Sequence, residues 1–313
     1  MDNRGDNSSS ADPPGSPPPP VTPTDGAPIT PATSGTRRPS RTLLAGGVIV
    51  VVLAILLALR LTGTKNATST TGTPLSPAVL ADVTNVSPAV LAAVGTGTAA
   101  GDLVWLPGPT RLGPGGKPLV VFIGAEYCPF CAVERWPLIV ALSRFGTLKG
   151  LGPSYSAADD VYPLTPSFTF VGSSYDSQYL ELSTAEIQSS VKVGNDYPPL
   201  ETPTALQNEV FQRFDGPPFL TVNQAGGIPF IDIADRYMAN GATYDPHLLV
   251  GLTREQIAAR LRTANNDTAS GILGAANLLT ATMCVATLNL PADVCQNPTI
   301  QQIEPMLPKQ PTG

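Results

Sequence analysis

The stretch Leu119-Val120-Val121-Phe122-Ile123-Gly124-Ala125-Glu126-Tyr127-Cys128-Pro129-Phe130-Cys131 decides how we expect this chain to fold. Its first part, 119–123, is short, apolar and rich in β-branched residues, which predicts a buried strand. Residues 124–127 are the expected turn. Pro129 suits the first turn of a helix, because the N–H that it lacks would have no partner there. The pattern therefore predicts a strand, a tight turn and a helix that begins beside Cys128.

Two cysteines stand at the start of this helix, and their spacing indicates sulfur chemistry. Cys128 lies at or next to the N-cap, where the helix dipole and the free backbone N–H groups favour a thiolate over a thiol. Cys131 follows one helical turn later. A thiolate with a second thiol at this distance is sufficient for thiol–disulfide exchange, in which Cys128 attacks and Cys131 resolves the mixed disulfide.

Three neighbouring side chains are candidate modulators of these cysteines. Glu126 either raises the pKa of Cys128 by its like charge or is a solvated turn residue, and the sequence leaves both interpretations open. Tyr127 directly precedes the first cysteine. Glu134 is a candidate proton shuttle, although we expect Glu134 and Arg135 to face solvent or neighbouring charges.

These residues resemble the active site of the thioredoxin-fold thiol–disulfide oxidoreductases. The segment 125–128 is similar to the one that leads into the cysteines of thioredoxins, and the Pro-Phe pair between the cysteines resembles DsbA-like and glutaredoxin-like centres. Residues 227–233 resemble the thioredoxin segment in which a cis-proline precedes a strand. The resemblance implies that Ile228 and Pro229 position the substrate, with the Ile228 backbone beside the Cys128 sulfur.

The order of the following elements agrees with this resemblance, but two residues depart from it. Asn240-Gly241 is a hairpin turn signal, and residues 253–256 are a capping box that opens a final helix. Phe122 stands where many thioredoxins carry a buried acid. Pro137 comes six residues after Cys131, whereas thioredoxins kink this helix with a proline five residues after the second cysteine.

We therefore predict an α/β, thioredoxin-like fold with an insertion between the Cys-x-x-Cys helix and the cis-proline strand, plus one N-terminal transmembrane helix. The insertion is expected at about 173–226, because nearly 100 residues separate the second cysteine from the proline. Its helix is predicted over 203–214, capped by Thr202. Over roughly 85–295 the chain also resembles an uncharacterised family of membrane-anchored thioredoxin-like proteins, a domain of unknown function (929).

Composition divides the chain into five parts. Residues 1–41 are rich in Pro, Ser, Thr and Gly, which predicts a disordered, proline-rich cytoplasmic tail. A transmembrane helix is predicted at 42–62 and a linker at 63–84. The thioredoxin-like extracytoplasmic domain is predicted at 85–300, and a C-terminal tail at 301–313.

The apolar run Leu43–Leu59 is the basis of the transmembrane prediction. At about 1.5 Å per residue it reaches ~26 Å, enough to span the hydrocarbon if Arg60 snorkels. A cleaved signal peptide is the alternative, although its charged leader would be unusually long. More arginines precede the run than follow it, which predicts a single-pass cell-membrane protein with a cytoplasmic N-terminus and an extracytoplasmic C-terminal domain.

A short internal repeat lies at the start of the soluble part. Residues 76–81 and 87–92 both read Ser-Pro-Ala-Val-Leu-Ala, with Ser at a cap position and Pro at the first helical position. The repeat predicts two short helices that pack on the edge of the domain.

Other roles for the cysteines remain as alternatives. A zinc site at Cys128 and Cys131 needs two further ligands, and His247 is the single histidine of the sequence, so no metal or cofactor is predicted. A purely structural disulfide between Cys128 and Cys131 stays open. We expect Cys284 and Cys295 to form a structural disulfide, with a relay of electrons to the first pair as the alternative.

The predicted function follows from this chemistry and from the expected location. A net charge of −6 offers no basic patch for nucleic acid. We expect a membrane-anchored, extracytoplasmic thiol–disulfide oxidoreductase whose partners are the thiols and disulfides of exported proteins and an unknown redox protein. The alternative is a redox-inert, thioredoxin-like scaffold of the cell envelope. The sequence does not fix the direction of exchange.

Overall fold

A mixed sheet with helices on both faces forms the centre of the described part of the chain, residues 74–99 and 103–309 of a computed structural model. The predictions of a tail at 1–41 and of a transmembrane helix at 42–62 lie outside the described residues. The described strands are β1 (Leu103–Trp105), β2 (Leu119–Gly124), β3 (Gly146–Lys149), β4 (Gly152–Tyr155), β5 (Pro166–Thr169), β6 (Ser174–Ser177), β7 (Glu181–Glu186), β8 (Phe230–Ile233) and β9 (Tyr237–Asn240).

The helices complete an α/β arrangement around this sheet. The described α-helices are α1 (Pro77–Thr84), α2 (Pro88–Val94), α3 (Pro129–Ser143), α4 (Ala205–Phe214), α5 (Arg254–Arg260), α6 (Asp267–Ala286), α7 (Ala292–Cys295) and α8 (Pro298–Ile303). Short 3₁₀ helices cover Pro246–Leu249 and Glu304–Met306.

The sheet is built around β2, as its apolar sequence predicts. The strand order is β1-β9-β8-β2-β7, in which β2 pairs parallel with β7 and antiparallel with β8. Every residue of β2 is buried. Such a continuous apolar strand is typical of a sheet that is covered on both faces.

Alternate residues of β2 contact two different layers. Val120 and Phe122 belong to the main core, together with residues of α3 and α6. Val121 and Ile123 belong to a second core, together with Val210 of α4. Helix α3 therefore leaves the end of β2 and packs back across one face of the sheet, between the sheet and α6.

Helix α6 is long and apolar enough to cross a membrane, but its apolar surface is used inside the fold. Of its most apolar stretch, 83% is buried in the structure, where the helix packs against α3. In the described part of the chain, α1 and α2 pass the same test of length and hydropathy only if they are taken together as one span bent by 58°.

Two of the predicted domain boundaries need correction. Residues 63–73 of the predicted linker lie outside the described residues, and its last part forms α1, whose Val79 and Val83 are buried in the main core. The two short helices predicted from the repeat, α1 and α2, are confirmed. The tail predicted from 301 begins too early, because α8 and a 3₁₀ turn continue to Met306 and Leu307 is buried.

The insertion predicted at about 173–226 is also misplaced. β7 lies within that range but is a strand of the central sheet. Two antiparallel pairs, β3 with β6 and β4 with β5, instead occupy the chain between α3 and β7. The α4 helix is capped by Thr204 rather than by Thr202, since the Thr204 side chain and Gln207 form a reciprocal capping box.

The turn between β8 and β9 is a further difference from the prediction. It lies at Ala234 and Asp235, which have φ values of 56° and 54°, whereas Asn240 is the last residue of β9 and Gly241 follows it. The Asp232 side chain accepts a hydrogen bond from the Asp235 N–H at 3.0 Å and thereby holds this turn.

Cys284 and Cys295 form a buried disulfide, as predicted. It joins the last turn of α6 to the end of α7, and both residues belong to the main core. The bridge therefore closes a short loop at the C-terminal end of the core helix.

Replacing Cys284 and Cys295 together by Ala should lower the free energy of unfolding by about 2–4 kcal/mol, because the unfolded chain regains the freedom of the loop. Urea unfolding measures the change. Alkylation of Cys128 should keep its wild-type rate in the folded double variant. An unchanged unfolding midpoint together with altered Cys128 reactivity would indicate an electron relay instead of a structural bridge.

Candidate active site

Cys128 is the N-cap of α3, and this position determines what surrounds its sulfur. The Cys131 N–H donates to the Cys128 sulfur at 3.3 Å. The Cys128 thiol lies 3.6 Å from the Ile228 carbonyl oxygen, which accepts from it. Cys128 is 5% exposed and Cys131 is fully buried, and both are free thiols.

The surroundings of the two thiols shift their pKa values in opposite directions. The hydrogen bond from the Cys131 side chain lowers the pKa of Cys128, and the Cys131 amide and the Arg135 guanidinium act in the same direction, against the effect of burial. Burial raises the pKa of Cys131 well above its ordinary value, and the neighbouring Cys128 raises it further. Cys128 is therefore the thiol that ionises first, which suits it to act as the nucleophile.

The structure brings the predicted substrate-positioning residues to these thiols. The Ile228–Pro229 peptide bond is cis, and Ile228 packs against the small apolar cluster that contains Cys128 and Cys131. Pro229 directly precedes β8, and its carbonyl oxygen accepts from the Gly241 N–H at 2.8 Å. The two segments that the sequence singles out thus meet at one end of the sheet.

Glu126 and Tyr127 differ in their surroundings. Glu126 is fully buried, so the interpretation as a solvated turn residue is wrong. Burial raises its pKa, although Thr169, Arg135 and the Ser190 backbone oppose the rise. Tyr127 is partly exposed and stacks on the Tyr197 ring, with the two centroids 4.4 Å apart.

The expectation that Glu134 faces solvent is wrong, because its side chain is fully buried. Its carboxylate accepts from the Thr243 N–H at 2.8 Å and from the Thr243 hydroxyl at 2.9 Å. The Tyr244 hydroxyl donates to the Val133 carbonyl oxygen at 3.1 Å. Glu134 therefore fastens the segment after β9 to α3, and burial raises its pKa to about 8.

Arg135 is also fully buried, and its partner is a charge that the sequence analysis did not identify. Its guanidinium binds both carboxylate oxygens of Glu186, at the end of β7, and donates to the Ala125 carbonyl oxygen at 2.9 Å. The sequence did contain a signal that Arg135 lies near Cys131. The two residues are four positions apart, which places them on the same face of the helix. The position of Glu186 had no such signal.

A groove lies beside the Cys128 end of α3. Its volume is about 840 Å³, and the described residues that line it carry no charge. Phe130, Ile228 and Tyr244 are on its wall, with the amides of Asn223 and Asn240. The cis-proline segment and the segment that Glu134 fastens thus both contribute to its wall.

The remaining candidate residues lie apart from the thiol pair. Cys284 and Cys295 belong to the main core, whereas Cys128 and Cys131 form a cluster of their own. His247 is exposed and interacts with Asp245 and with the Tyr162 hydroxyl. Among the described residues, no group of three or more His, Cys, Asp and Glu side chains is arranged to hold a metal ion.

The Cys128 thiol should react with iodoacetamide with a pH midpoint below the ~8.5 of a free cysteine, because its folded surroundings favour the thiolate. Mass spectrometry would assign the modified residue. The same chain in urea is the control, and its midpoint should return to the free value. A folded midpoint at or above that value would contradict the assignment of Cys128 as the nucleophile.

Glu134 should make stability fall as the pH rises. The unfolded chain releases this proton near the ordinary value of 4.5 and the folded chain near 8, so the folded state holds more protons in this window. Glu134→Gln should reduce the loss of unfolding free energy between pH 5 and about 8 by a few kcal/mol. Urea unfolding at a series of pH values measures this loss. Glu255→Gln, an exposed change, is the control. A parallel pH dependence for Glu134→Gln and wild type would contradict the burial of a protonated carboxyl.

Comparison with known proteins gives a family but no characterised relative. Searches of the curated proteins and of the solved structures found no match. One family model, Domain of unknown function (DUF929), matches residues 107–285. That range runs from the segment before β2 through both cysteines and the cis-proline to the last turn of α6. Because the match covers more than half of the sequence, the chain belongs to the DUF929 family.

Proposed function

We propose that this protein is a membrane-anchored thiol–disulfide oxidoreductase that acts on exported proteins through Cys128 and Cys131. The observation that carries the proposal is the pair of unequal thiols at the N-terminus of α3. One is an N-cap whose pKa is lowered, and the other is a buried thiol one turn behind it. This is the arrangement that exchange through a mixed disulfide requires.

The reaction proceeds in two steps. The Cys128 thiolate attacks one sulfur of a substrate disulfide, a bond forms between the two, and the other substrate sulfur leaves as a thiolate and takes up a proton. Cys131 then loses its proton and attacks Cys128, which breaks the mixed disulfide and releases the second substrate sulfur. Two electrons pass from the cysteine pair to the substrate, and the reverse sequence oxidises a substrate dithiol.

The order of the elements supports a thioredoxin-like fold for this chemistry. The strand that ends at the cysteines, the helix that follows, the cis-proline strand, the hairpin strand and a capped helix occur in the order that the resemblance to thioredoxins implies. The cis-proline strand β8 lies directly beside β2. In this interpretation, the strand pairs β3–β6 and β4–β5 are additions between the active-site helix and β7.

The groove beside Cys128 supports a polypeptide substrate. Its volume is about 840 Å³, and its apolar and amide side chains suit a segment without charge. The Ile228 backbone at its edge is placed to pair with an extended substrate strand next to the disulfide. Main-chain pairing of this kind gives affinity for many sequences.

The location of the protein is part of the proposal. The apolar run Leu43–Leu59 supports a single-pass anchor in the cell membrane, and the arginines before it support a cytoplasmic N-terminus. The Cys284–Cys295 disulfide supports an extracytoplasmic domain, because such bridges persist in oxidising compartments. The substrates are then exported proteins.

A Cys131→Ser variant should accumulate mixed disulfides with exported proteins, because Cys128 still attacks but nothing resolves the adduct. Non-reducing gels of membranes would show slow bands that dithiothreitol removes. Cys128→Ser is the matched control and should give none. Adducts from Cys128→Ser alone would reverse the order of attack. If neither variant forms adducts, the domain is a redox-inert scaffold.

A further inference from the structure

Arg135 is a buried cation one helical turn after Cys131. Its side chain has no exposed surface, and its Nη1 has no hydrogen-bond partner among the described residues. Glu186 and the Ala125 carbonyl oxygen engage its other donors. A guanidinium with an unpaired donor in the interior is costly, so its position needs an explanation beyond the ion pair.

The guanidinium belongs to the same buried site as the Cys131 sulfur. Side chains on a helix lean toward its N-terminus, so a residue four positions after Cys131 reaches back over that cysteine. The Arg135 guanidinium lies over the Phe122 ring, 5.6 Å from its centroid. A Cβ placed at Gly124 would be 2.6 Å from that ring and 3.3 Å from the Cys131 sulfur. The ring and the sulfur therefore meet at Gly124, where only a glycine fits, and the cation packs on the same ring.

Arg135 also holds the turn that presents Cys128. The Ala125 carbonyl oxygen accepts from the Arg135 guanidinium and from the Cys128 N–H, the latter at 3.3 Å. Ala125 packs against both cysteines. The backbone that carries the first cysteine is thus fixed by the same side chain that approaches the second.

We propose that Arg135 is a positioning residue for the exchange reaction. Its guanidinium, fixed by Glu186, stabilises the sulfur anion that forms on Cys131 when this residue attacks Cys128. In that step the Cys131 S–H bond breaks and the Cys131–Cys128 bond forms. The bond from Cys128 to the substrate sulfur breaks, and the proton from Cys131 ends on the departing substrate sulfur. The inference rests on the proposed function and extends it to the resolving step.

The electrostatics of the site support this role for the Arg135 cation. Burial raises the pKa of Cys131 strongly, so an unassisted Cys131 would rarely be a thiolate. Of the charged side chains, Arg135 lowers the pKa of both cysteines most. The other titratable groups nearby are Glu126, Glu186 and Tyr127, and none of them carries a positive charge.

The test uses the full-length protein in detergent, with glutathione as the probe. Arg135→Met combined with Glu186→Gln removes both charges and leaves no unpaired ion in the interior. Arg135→Lys keeps a charge but cannot bind Glu186 and Ala125 together. Arg254→Lys is the matched control, since Arg254 is also buried but donates to the carbonyl oxygens of Ser167 and Ser154.

Two quantities are measured: the pH profile of the rate at which Cys131 displaces glutathione from Cys128, and the equilibrium constant of the pair in a glutathione buffer. The double variant should resolve about tenfold more slowly at neutral pH, with its profile moved to higher pH. Its equilibrium should move about tenfold toward the disulfide, which corresponds to ~30 mV. Arg135→Lys should give an intermediate shift and Arg254→Lys none.

A wild-type pH profile and equilibrium constant in either folded Arg135 variant would overturn the inference. Circular dichroism reports whether each variant is folded, and Arg135→Lys decides the question if the double variant is not. A wild-type protein that never forms a disulfide with glutathione would instead refute the proposed function. The two failures are therefore distinguishable.

Discussion

The burial of helix α3 on all sides is the constraint on which the rest of the structure depends. Nearly every residue from Pro129 to Leu142 is buried between the sheet and α6. A helix in that position cannot turn its polar side chains to water, so each needs a partner inside the fold. Glu134 accepts hydrogen bonds from Thr243 in the segment after β9, and Arg135 binds Glu186 at the end of β7. These pairs tie distant parts of the chain to the helix that begins at Cys128.

The same constraint makes the two cysteines different. Cys128 stands just before the first turn, where unpaired backbone N–H groups favour a negative charge, and a small part of its surface reaches solvent. Cys131 is inside the first turn and is surrounded by protein. A single helical turn thus separates a thiol that ionises readily from one that holds its proton. The difference arises from the helix end and from burial.

Local signals in the sequence were enough to predict the elements around the thiols. The apolar run of β2, the proline at the first position of α3 and the capping box at Thr253 depend on neighbouring residues, and each is confirmed. The burial of Glu134 and Arg135 was not predictable in this way, because Thr243 and Glu186 are distant in sequence and two adjacent charges usually face water. The strand β7 was assigned to the predicted insertion for a related reason. Its polar sequence is typical of an exposed segment, yet it pairs with β2.

The turn between β8 and β9 escaped prediction because it depends on one side chain. Ala234-Asp235 is a weak turn signal, whereas Asn240-Gly241 is a strong one. Asp232 compensates by accepting from the Asp235 N–H, and burial raises the pKa of Asp232 to about 8. A sequence pattern reports residue types, and this turn is specified by a hydrogen bond that forms only once the strand is in place.

The two charge clusters at opposite ends of the sheet differ in what they do. In the first, Asp235 binds Arg111 and Arg213, and these contacts fasten the β8–β9 turn to neighbouring segments. In the second, Arg135 and Glu186 pair in full burial, with the buried Glu126 beside them. Replacing a buried ion pair by apolar side chains of similar volume is often neutral or stabilising, so stability alone does not account for the second cluster. Its distinguishing feature is the thiol of Cys131, whose ionisation the Arg135 charge favours and the burial of the site opposes.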